Sequence, residues 1–201
     1  RDYEGAGKLF SYIDVKDVSR RQRPEFLYKR AWCDFAVGNE SRAAERFEEV
    51  AGLKSPAYSG AACFTLGYIN YDNGRFGEAL RWFGKANDKR FADLSAYYTL
   101  DCHFQLKDYE YVVANGDELL PKFQDERAKR VARLLSESCL VLGKADRAKA
   151  IYDSLLAESP DTSRSGLFFT ASLLYAVQDW QGARDKYMAM GDRSDSLGQI
   201  A

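Results

Sequence analysis

The sequence has one histidine, His103, and only four prolines among its 201 residues. A single histidine cannot build a histidine-based metal cluster and leaves little material for a catalytic triad. We therefore expect no enzymatic activity, no catalytic, cofactor-binding or metal-binding residues, and a half-buried, hydrogen-bonded His103. The scarcity of proline favours helices over a loop-rich β architecture, because proline interrupts helices and needs turns.

The chain also lacks a large net charge and any long apolar run. Its formal net charge is −1, so no bulk field attracts nucleic acid or an anionic membrane. We interpret the basic clusters at 20–23 and 127–133 as solvated surface. No apolar run approaches the ~20 residues of a membrane-spanning helix. These absences predict no nucleic-acid partner and no membrane insertion.

Closely spaced cysteine pairs are absent as well. The four cysteines, Cys33, Cys63, Cys102 and Cys139, lie at least 30 residues apart. Each sits in an apolar, helix-like segment, where a free cysteine behaves as a small hydrophobic residue. We therefore expect buried thiols and no disulfide framework.

What the sequence does contain is a repeat. A small, an aromatic and another apolar residue recur at spacings of four and three, which places them on one face of a helix. The copies are Ala6, Phe10, Ile13; Ala43, Phe47, Val50; Ala79, Phe83, Ala86; Val112, Gly116, Leu119; Ala148, Tyr152, Leu155; and Ala183, Tyr187, Met190. Successive copies start 33 to 37 residues apart. A near-constant period of this size predicts an array of repeats.

A second helix-like segment precedes each of the last five copies. In four copies it carries a small residue twelve positions before that of the next helix, in the order Ala31, Gly67, Ser136 and Ala171. In the third copy the turn is one residue shorter and the place is held by Asp101, which is not small. Two helices that cross closely need a residue without bulk on each partner. We therefore expect these small residues to mark the crossing points.

The turns between the two segments also recur. Glycine stands five residues before the small residue of the second helix in three copies, at Gly38, Gly74 and Gly143. Glycine readily takes the left-handed conformation that ends a helix. The other two turns are Lys107-Asp108 and Gln178-Asp179, so glycine is preferred but not universal.

These residues resemble the tetratricopeptide repeat family, whose units are helix-turn-helix pairs of 34 residues. The best copy has Leu66-Gly67, Tyr71, Ala79, Phe83 and Ala86, and Pro160 matches the closing proline of the copy with Ala148. The resemblance implies an all-α fold, a right-handed α-solenoid of antiparallel helix pairs with about five full pairs and a leading half repeat. Asp101, Gly116 and periods above 34 depart from the pattern, and such irregular periods are similar to those of long bacterial repeat proteins.

The register divides the chain into repeats. The expected segments are a half repeat at 1–16, pairs at about 24–53, 57–89, 92–120, 125–158 and 163–191, and the start of a further helix at 192–201. Neither end has the polar face of a capping repeat, so we expect flanking repeats or domains in the full-length protein. The bacterial cytoplasm and the cell envelope both remain open as locations.

The first helices carry a second stripe, away from the crossing face. The resemblance implies that this stripe lines a concave groove for an extended or helical peptide. The candidate groove residues are Tyr28, Trp32, Phe35, Phe64, Tyr68, Tyr71, Tyr98, Arg130, Arg133, Phe168 and Tyr175. The alternative is that these rings only pack between adjacent units.

The leading functional hypothesis is a non-enzymatic scaffold that binds a protein or peptide in this groove. Two alternatives stay open. The chain could be the recruiting or regulatory arm of a larger enzyme, or a structural repeat module that self-assembles through its end units.

Overall fold

A computed structural model describes residues 2–53, 55–157 and 160–191. This part of the chain contains eleven α-helices and no β-strand. The prediction of an all-α chain is therefore confirmed, while the helix expected at 192–201 lies outside the described residues. The chain divides into two compact units, residues 1–102 and 103–201.

In the first unit each helix packs against the next one along the chain, from α1 to α5. The helices are α1 Tyr3–Ser11, α2 Arg23–Ala36, α3 Glu40–Ala51, α4 Pro56–Asp72, α5 Phe76–Phe83 and α6 Ala92–Gln105, whose last three residues belong to the second unit. In α6, Tyr98 and Cys102 pack with Ala79 and Phe83 of α5.

The second unit repeats the arrangement. Its helices are α7 Tyr109–Leu119, α8 Glu126–Val141, α9 Ala145–Leu155, α10 Arg164–Ala176 and α11 Trp180–Ala189. Each of these helices packs against its successor. Ser163 caps α10 by accepting a hydrogen bond from the backbone N–H of Gly166 at 3.1 Å, as expected for a serine at this position.

Paired helices run antiparallel and cross at small residues. In the α4–α5 pair, a Cβ added at Gly67 would lie 2.5 Å from the Phe83 ring, and Tyr71 contacts Phe76 with ring centroids 5.8 Å apart. The predicted crossing residues are all buried: Ala31, Ala43, Gly67, Ala79, Ser136, Ala148, Ala171 and Ala183. The burial agrees with the expectation at all eight positions, and the contact of Gly67 with Phe83 shows the close approach directly in the α4–α5 pair.

The crossing of α8 and α9, in the second unit, adds a polar contact. Ser136 Oγ donates a hydrogen bond to the backbone carbonyl of Ala148 at 2.8 Å, with both residues fully buried. A serine hydroxyl here needs such an acceptor, because a buried donor without a partner is costly. Gly116 of the degenerate third copy packs closely on the next pair, since a Cβ on this residue of α7 would lie 2.9 Å from Leu135 of α8.

The five helix-ending turns share one backbone conformation. The φ angles are +82° at Gly38, +70° at Gly74 and +72° at Gly143. Lys107 and Gln178, which replace glycine in the other two turns, have φ of +63° and +65°. The left-handed turn is thus a property of the repeat, and two side chains adopt it against their preference.

The first helix is shorter than expected. The register predicts helix to about residue 15, but α1 ends at Ser11, and Ile13 lies beyond it with 44% of its surface exposed. Asp14 accepts a hydrogen bond from the backbone N–H of Lys16 and starts a separate 3₁₀ turn at Val15–Asp17. A side chain that bonds its own backbone in this way competes with helix continuation.

All four cysteines are buried and free of disulfides, as expected. Burial raises the pKa of each thiol, most of all that of Cys102, where the neighbouring Asp101 also contributes and the pKa rises to about 12. These side chains therefore stay protonated and behave as small hydrophobic residues near neutral pH.

Within residues 2–53, 55–157 and 160–191, no helix combines the length and apolar character that crossing a membrane requires.

Glycine should improve the two turns that lack it. We expect Lys107→Gly and Gln178→Gly each to raise the free energy of unfolding by about 0.5–1 kcal/mol, because glycine takes positive φ without a Cβ clash. We expect Gly74→Ala to lower it by about 1–2 kcal/mol. Guanidinium unfolding followed by circular dichroism measures each change. The control is Gly77→Ala in the exposed first turn of α5, which should stabilise; equal effects at Gly74 and Gly77 would contradict this account.

The close crossing at Gly67 is testable by a double-mutant cycle. Gly67→Ala should destabilise the chain by about 1–3 kcal/mol, because the new methyl group meets the Phe83 ring. In a Phe83→Leu background the same change should cost less, by more than about 0.5 kcal/mol, since the obstructing ring is gone. Chemical unfolding of the four variants gives the coupling. Additive effects would show that the ring is not the obstacle.

Candidate functional site

The predicted aromatic stripe of the first unit lies on three helices. We call these seven side chains the aromatic face: Tyr28, Trp32 and Phe35 on α2, Phe64, Tyr68 and Tyr71 on α4, and Tyr98 on α6. Spacings of three and four residues place the members from one helix along one stripe. All seven are partly buried and partly exposed. The aromatic face therefore belongs neither wholly to the core nor wholly to the solvent.

The rings of the aromatic face form a continuous run across the three helices. Along α2, Trp32 contacts Phe35 with centroids 5.4 Å apart. Phe35 contacts Tyr68 of α4 at 6.2 Å in an edge-to-face arrangement, and Tyr68 contacts Tyr98 of α6 at 5.5 Å. These geometries are the ones aromatic pairs prefer. The rings thus do pack between neighbouring helix pairs, as the alternative interpretation expects, while keeping part of each ring in contact with solvent.

Tyr98 connects the aromatic face to the core. Its ring lies 5.0 Å from Tyr71 and 6.1 Å from Phe64, centroid to centroid. On the other side it stacks on the buried Phe83 at 5.6 Å, nearly parallel. Phe83 is the ring that also fills the α4–α5 crossing beside Gly67. The position of the aromatic face is therefore set by the same close packing that builds the pair.

Asp101 departs from the repeat pattern for a reason that the structure shows. It is only 1% exposed, and its Oδ2 accepts a hydrogen bond from the Tyr71 hydroxyl at 3.1 Å. A hydrogen bond to a charged acceptor is stronger than one between neutral groups. The residue that replaces the small side chain thus bonds α6 to the aromatic face of the preceding pair.

Two rings next to the aromatic face were missed by sequence reasoning. Tyr58, in the first turn of α4, contacts Tyr28 at 5.7 Å, and Phe91, in a 3₁₀ turn, stacks on Phe64 at 4.6 Å. Neither belongs to the periodic stripe, so no repeat signal marks them. They extend the aromatic cluster beyond Tyr28 and Phe64, which are the first members of the aromatic face on α2 and on α4.

The predicted arginines, Arg130 and Arg133, lie in the second unit, and Arg133 faces two carboxylates. Arg133 Nε donates to Glu137 Oε1 at 2.6 Å, and its other arm pairs with Asp161. Hydrogen bonds from Ser163, followed by the pairing with Arg133, lower the pKa of Asp161. Arg130 lies beside Arg133 in a cleft of about 400 Å³. Arg133 is therefore part of an ion-pair network rather than an isolated cation.

The predicted rings of the second unit pair with their own second helix. Phe168 contacts Tyr187 at 6.0 Å and also lines a mostly apolar cleft of about 360 Å³ together with Arg133. Tyr175 contacts Trp180 at 4.9 Å, and both rings are more than half exposed. Among the described rings of this unit, these pairs replace the run across several helices that characterises the first unit.

The single histidine has a structural environment. His103 Nδ1 lies 2.9 Å from Asp108 Oδ2, and its ring stacks on Tyr111 with centroids 3.6 Å apart. Asp108 also caps α7 by accepting from the backbone N–H of Tyr111. The expectation of a half-buried, hydrogen-bonded histidine is confirmed. Its two partners, Asp108 and Tyr111, also form the N-terminal cap of α7.

Neither a protein-family model nor a curated protein matches this chain.

The Tyr71–Asp101 bond can be measured directly. We expect Tyr71→Phe and Asp101→Ala each to lower the free energy of unfolding by about 1–3 kcal/mol, because each removes one side of a partly buried hydrogen bond whose acceptor is 1% exposed. The double variant should lose less than the sum, with a coupling of at least about 0.5 kcal/mol. Denaturant titration of the four proteins gives the coupling. Tyr12→Phe, at a residue 84% exposed, is the control and should have no effect.

Proposed function

We propose that this chain is a non-enzymatic scaffold for protein-protein interaction, built as a tetratricopeptide-like, right-handed α-solenoid of bacterial type. Its ligand is a peptide or protein segment that docks on the aromatic face. The observation that carries the proposal is the run of half-exposed rings from Trp32 through Phe35 and Tyr68 to Tyr98. The repeat register, the small-residue crossings and the left-handed turns support the repeat class.

The chemistry of the aromatic face suits a segment with apolar side chains. Tyrosine and tryptophan offer a flat apolar body with a polar edge and lose little conformational entropy on binding. Because their mutual contacts already hold the rings in place, a ligand would meet a preorganised surface, which lowers the cost of association. Apolar burial then supplies affinity, and the hydroxyl groups of Tyr68 and Tyr28 supply hydrogen bonds at the margin.

Charged groups give such a ligand a direction. Lys29 and Glu25 form an exposed ion pair at 2.6 Å on α2, next to Tyr28. Charges at the rim of an interface contribute more to orientation and association rate than to affinity.

A displayed peptide library tests the aromatic face without knowledge of the natural partner. Peptides of about 16 residues are selected on the full chain and then titrated against the Phe35→Ala/Tyr68→Ala variant. We expect selected peptides to be rich in apolar residues and to bind the variant at least about tenfold more weakly, as loss of central aromatic contacts predicts.

Tyr12→Ala is the matched control, since it removes an exposed ring outside the aromatic face. Circular dichroism and thermal unfolding show whether the double variant keeps its helices. If selected peptides bind a folded double variant as tightly as the unaltered chain, the aromatic face is not the binding surface.

A further inference from the structure

The middle helix of the aromatic face is almost without charge. This helix, α4, places Tyr68 between Phe35 of α2 and Tyr98 of α6. The only charged residue in its sequence is Asp72, the last residue of the helix. A charged group of a ligand would lose its water over α4 without gaining a charged partner there, which is costly. The middle of the aromatic face therefore suits a neutral segment.

Two rings of the run carry hydrogen-bond donors that the chain itself does not use. The indole N–H of Trp32 can only donate, and the hydroxyl of Tyr68 can donate as well as accept. Both side chains are half-buried, and within residues 2–53, 55–157 and 160–191 neither of them makes a hydrogen bond. Tyr71 differs, because its hydroxyl already donates to Asp101. A ligand on this surface therefore meets donors that need acceptors.

The backbone conformation of a ligand decides whether it can supply those acceptors. An α-helix uses its own carbonyl groups except in its last turn. An extended strand brings N–H groups as well as carbonyls, and aromatic rings offer few acceptors for them. A polyproline II segment has no internal hydrogen bonds, so its carbonyls are free, and proline has no N–H. A proline-rich segment is therefore the apolar ligand that brings acceptors without as many donors.

The extent of the run fits a short segment of this kind. Helices that pack together lie about 8–10 Å apart, so roughly six residues of polyproline II, each rising about 3.1 Å, reach from α2 to α6. Grooves lined with aromatic side chains recognise proline-rich segments in the same manner. Because polyproline II is already formed in the free segment, little conformational entropy is lost on binding.

We propose that the ligand of the aromatic face is a proline-rich segment in the polyproline II conformation. Its carbonyl groups accept hydrogen bonds from the Trp32 indole and the Tyr68 hydroxyl, and its proline rings pack on Phe35 and Tyr98. The inference rests on the proposed function of the aromatic face and names the class of ligand that this surface selects. An apolar helix would cover the same rings but leave both donors without acceptors, which lowers affinity.

A pair of matched peptides tests this class of ligand. One peptide contains four copies of Pro-Pro-Leu and the other four copies of Ala-Ala-Leu, and both carry the same Gly-Ser-Lys-Lys tail and a fluorescein label. The second peptide keeps the leucines but favours a helix, because alanine and leucine are good helix formers. Each peptide is titrated with the full chain and followed by fluorescence anisotropy. We expect saturable binding of the proline peptide, at least about tenfold tighter than that of the alanine peptide.

Conservative variants test the two donors separately from the rings. Trp32→Phe and Tyr68→Phe each remove one donor and keep an aromatic ring, so each should weaken binding of the proline peptide by about three- to tenfold, the effect of one hydrogen bond. Affinity for the alanine peptide should not change with Tyr68→Phe. Tyr12→Phe, at a residue 84% exposed and outside the aromatic face, is the matched control and should have no effect. Circular dichroism shows whether each variant is folded.

The outcomes separate this inference from the proposed function. No saturable binding of the proline peptide, equal affinity for the two peptides, or unchanged affinity in both donor variants would overturn the proline-rich ligand. So would unchanged affinity of the proline peptide for the folded Phe35→Ala/Tyr68→Ala variant, because the peptide would then bind elsewhere. In each case the proposed function still holds if peptides selected from the displayed library lose affinity for that variant.

Discussion

The constraint on which the structure depends is the close approach of two helices at residues without bulk. Where Gly67 meets the Phe83 ring, or Ser136 bonds the carbonyl of Ala148, the backbones come so near that only one relative placement of the pair is possible. The crossing takes the small residues of each first helix, so its large side chains lie on a separate stripe. The aromatic face is therefore a by-product of the geometry of the pair: rings that have no room at the crossing line the neighbouring surface.

The two units use this geometry differently. In the first unit, rings contact rings from helix to helix, and Tyr98 ties them to the buried Phe83. In the second, the corresponding surface contains Arg133 between Glu137 and Asp161, above the Phe169 ring. Ring contacts depend little on salt, whereas partly exposed ion pairs are screened by it. Repeats of one architecture thus present surfaces that are held together by different kinds of contact.

The helices and most of the turns could be predicted from the sequence because short residue patterns that recur in each repeat determine them. Spacings of three and four residues mark the helix faces, and glycine marks three of the five left-handed turns. The neighbours of the aromatic face could not be predicted in the same way. Tyr58 and Phe91 occur once and outside the period, so only the folded chain brings them to Tyr28 and Phe64. Asp101 stood out as a misfit, but its partner Tyr71 lies 30 positions away.

The bond between Tyr71 and Asp101 also bears on how such an array can change over generations. In repeat proteins each repeat contacts only its neighbours. Here the Asp101 carboxyl group of one repeat accepts a hydrogen bond from the Tyr71 hydroxyl of the repeat before it. Deleting the repeat with Tyr71 would remove this donor from the buried Asp101, and deleting the repeat with Asp101 would remove this acceptor from Tyr71. Insertion or deletion of a repeat at this junction is therefore costly. The array is lengthened more easily where neighbouring repeats meet only through apolar contacts.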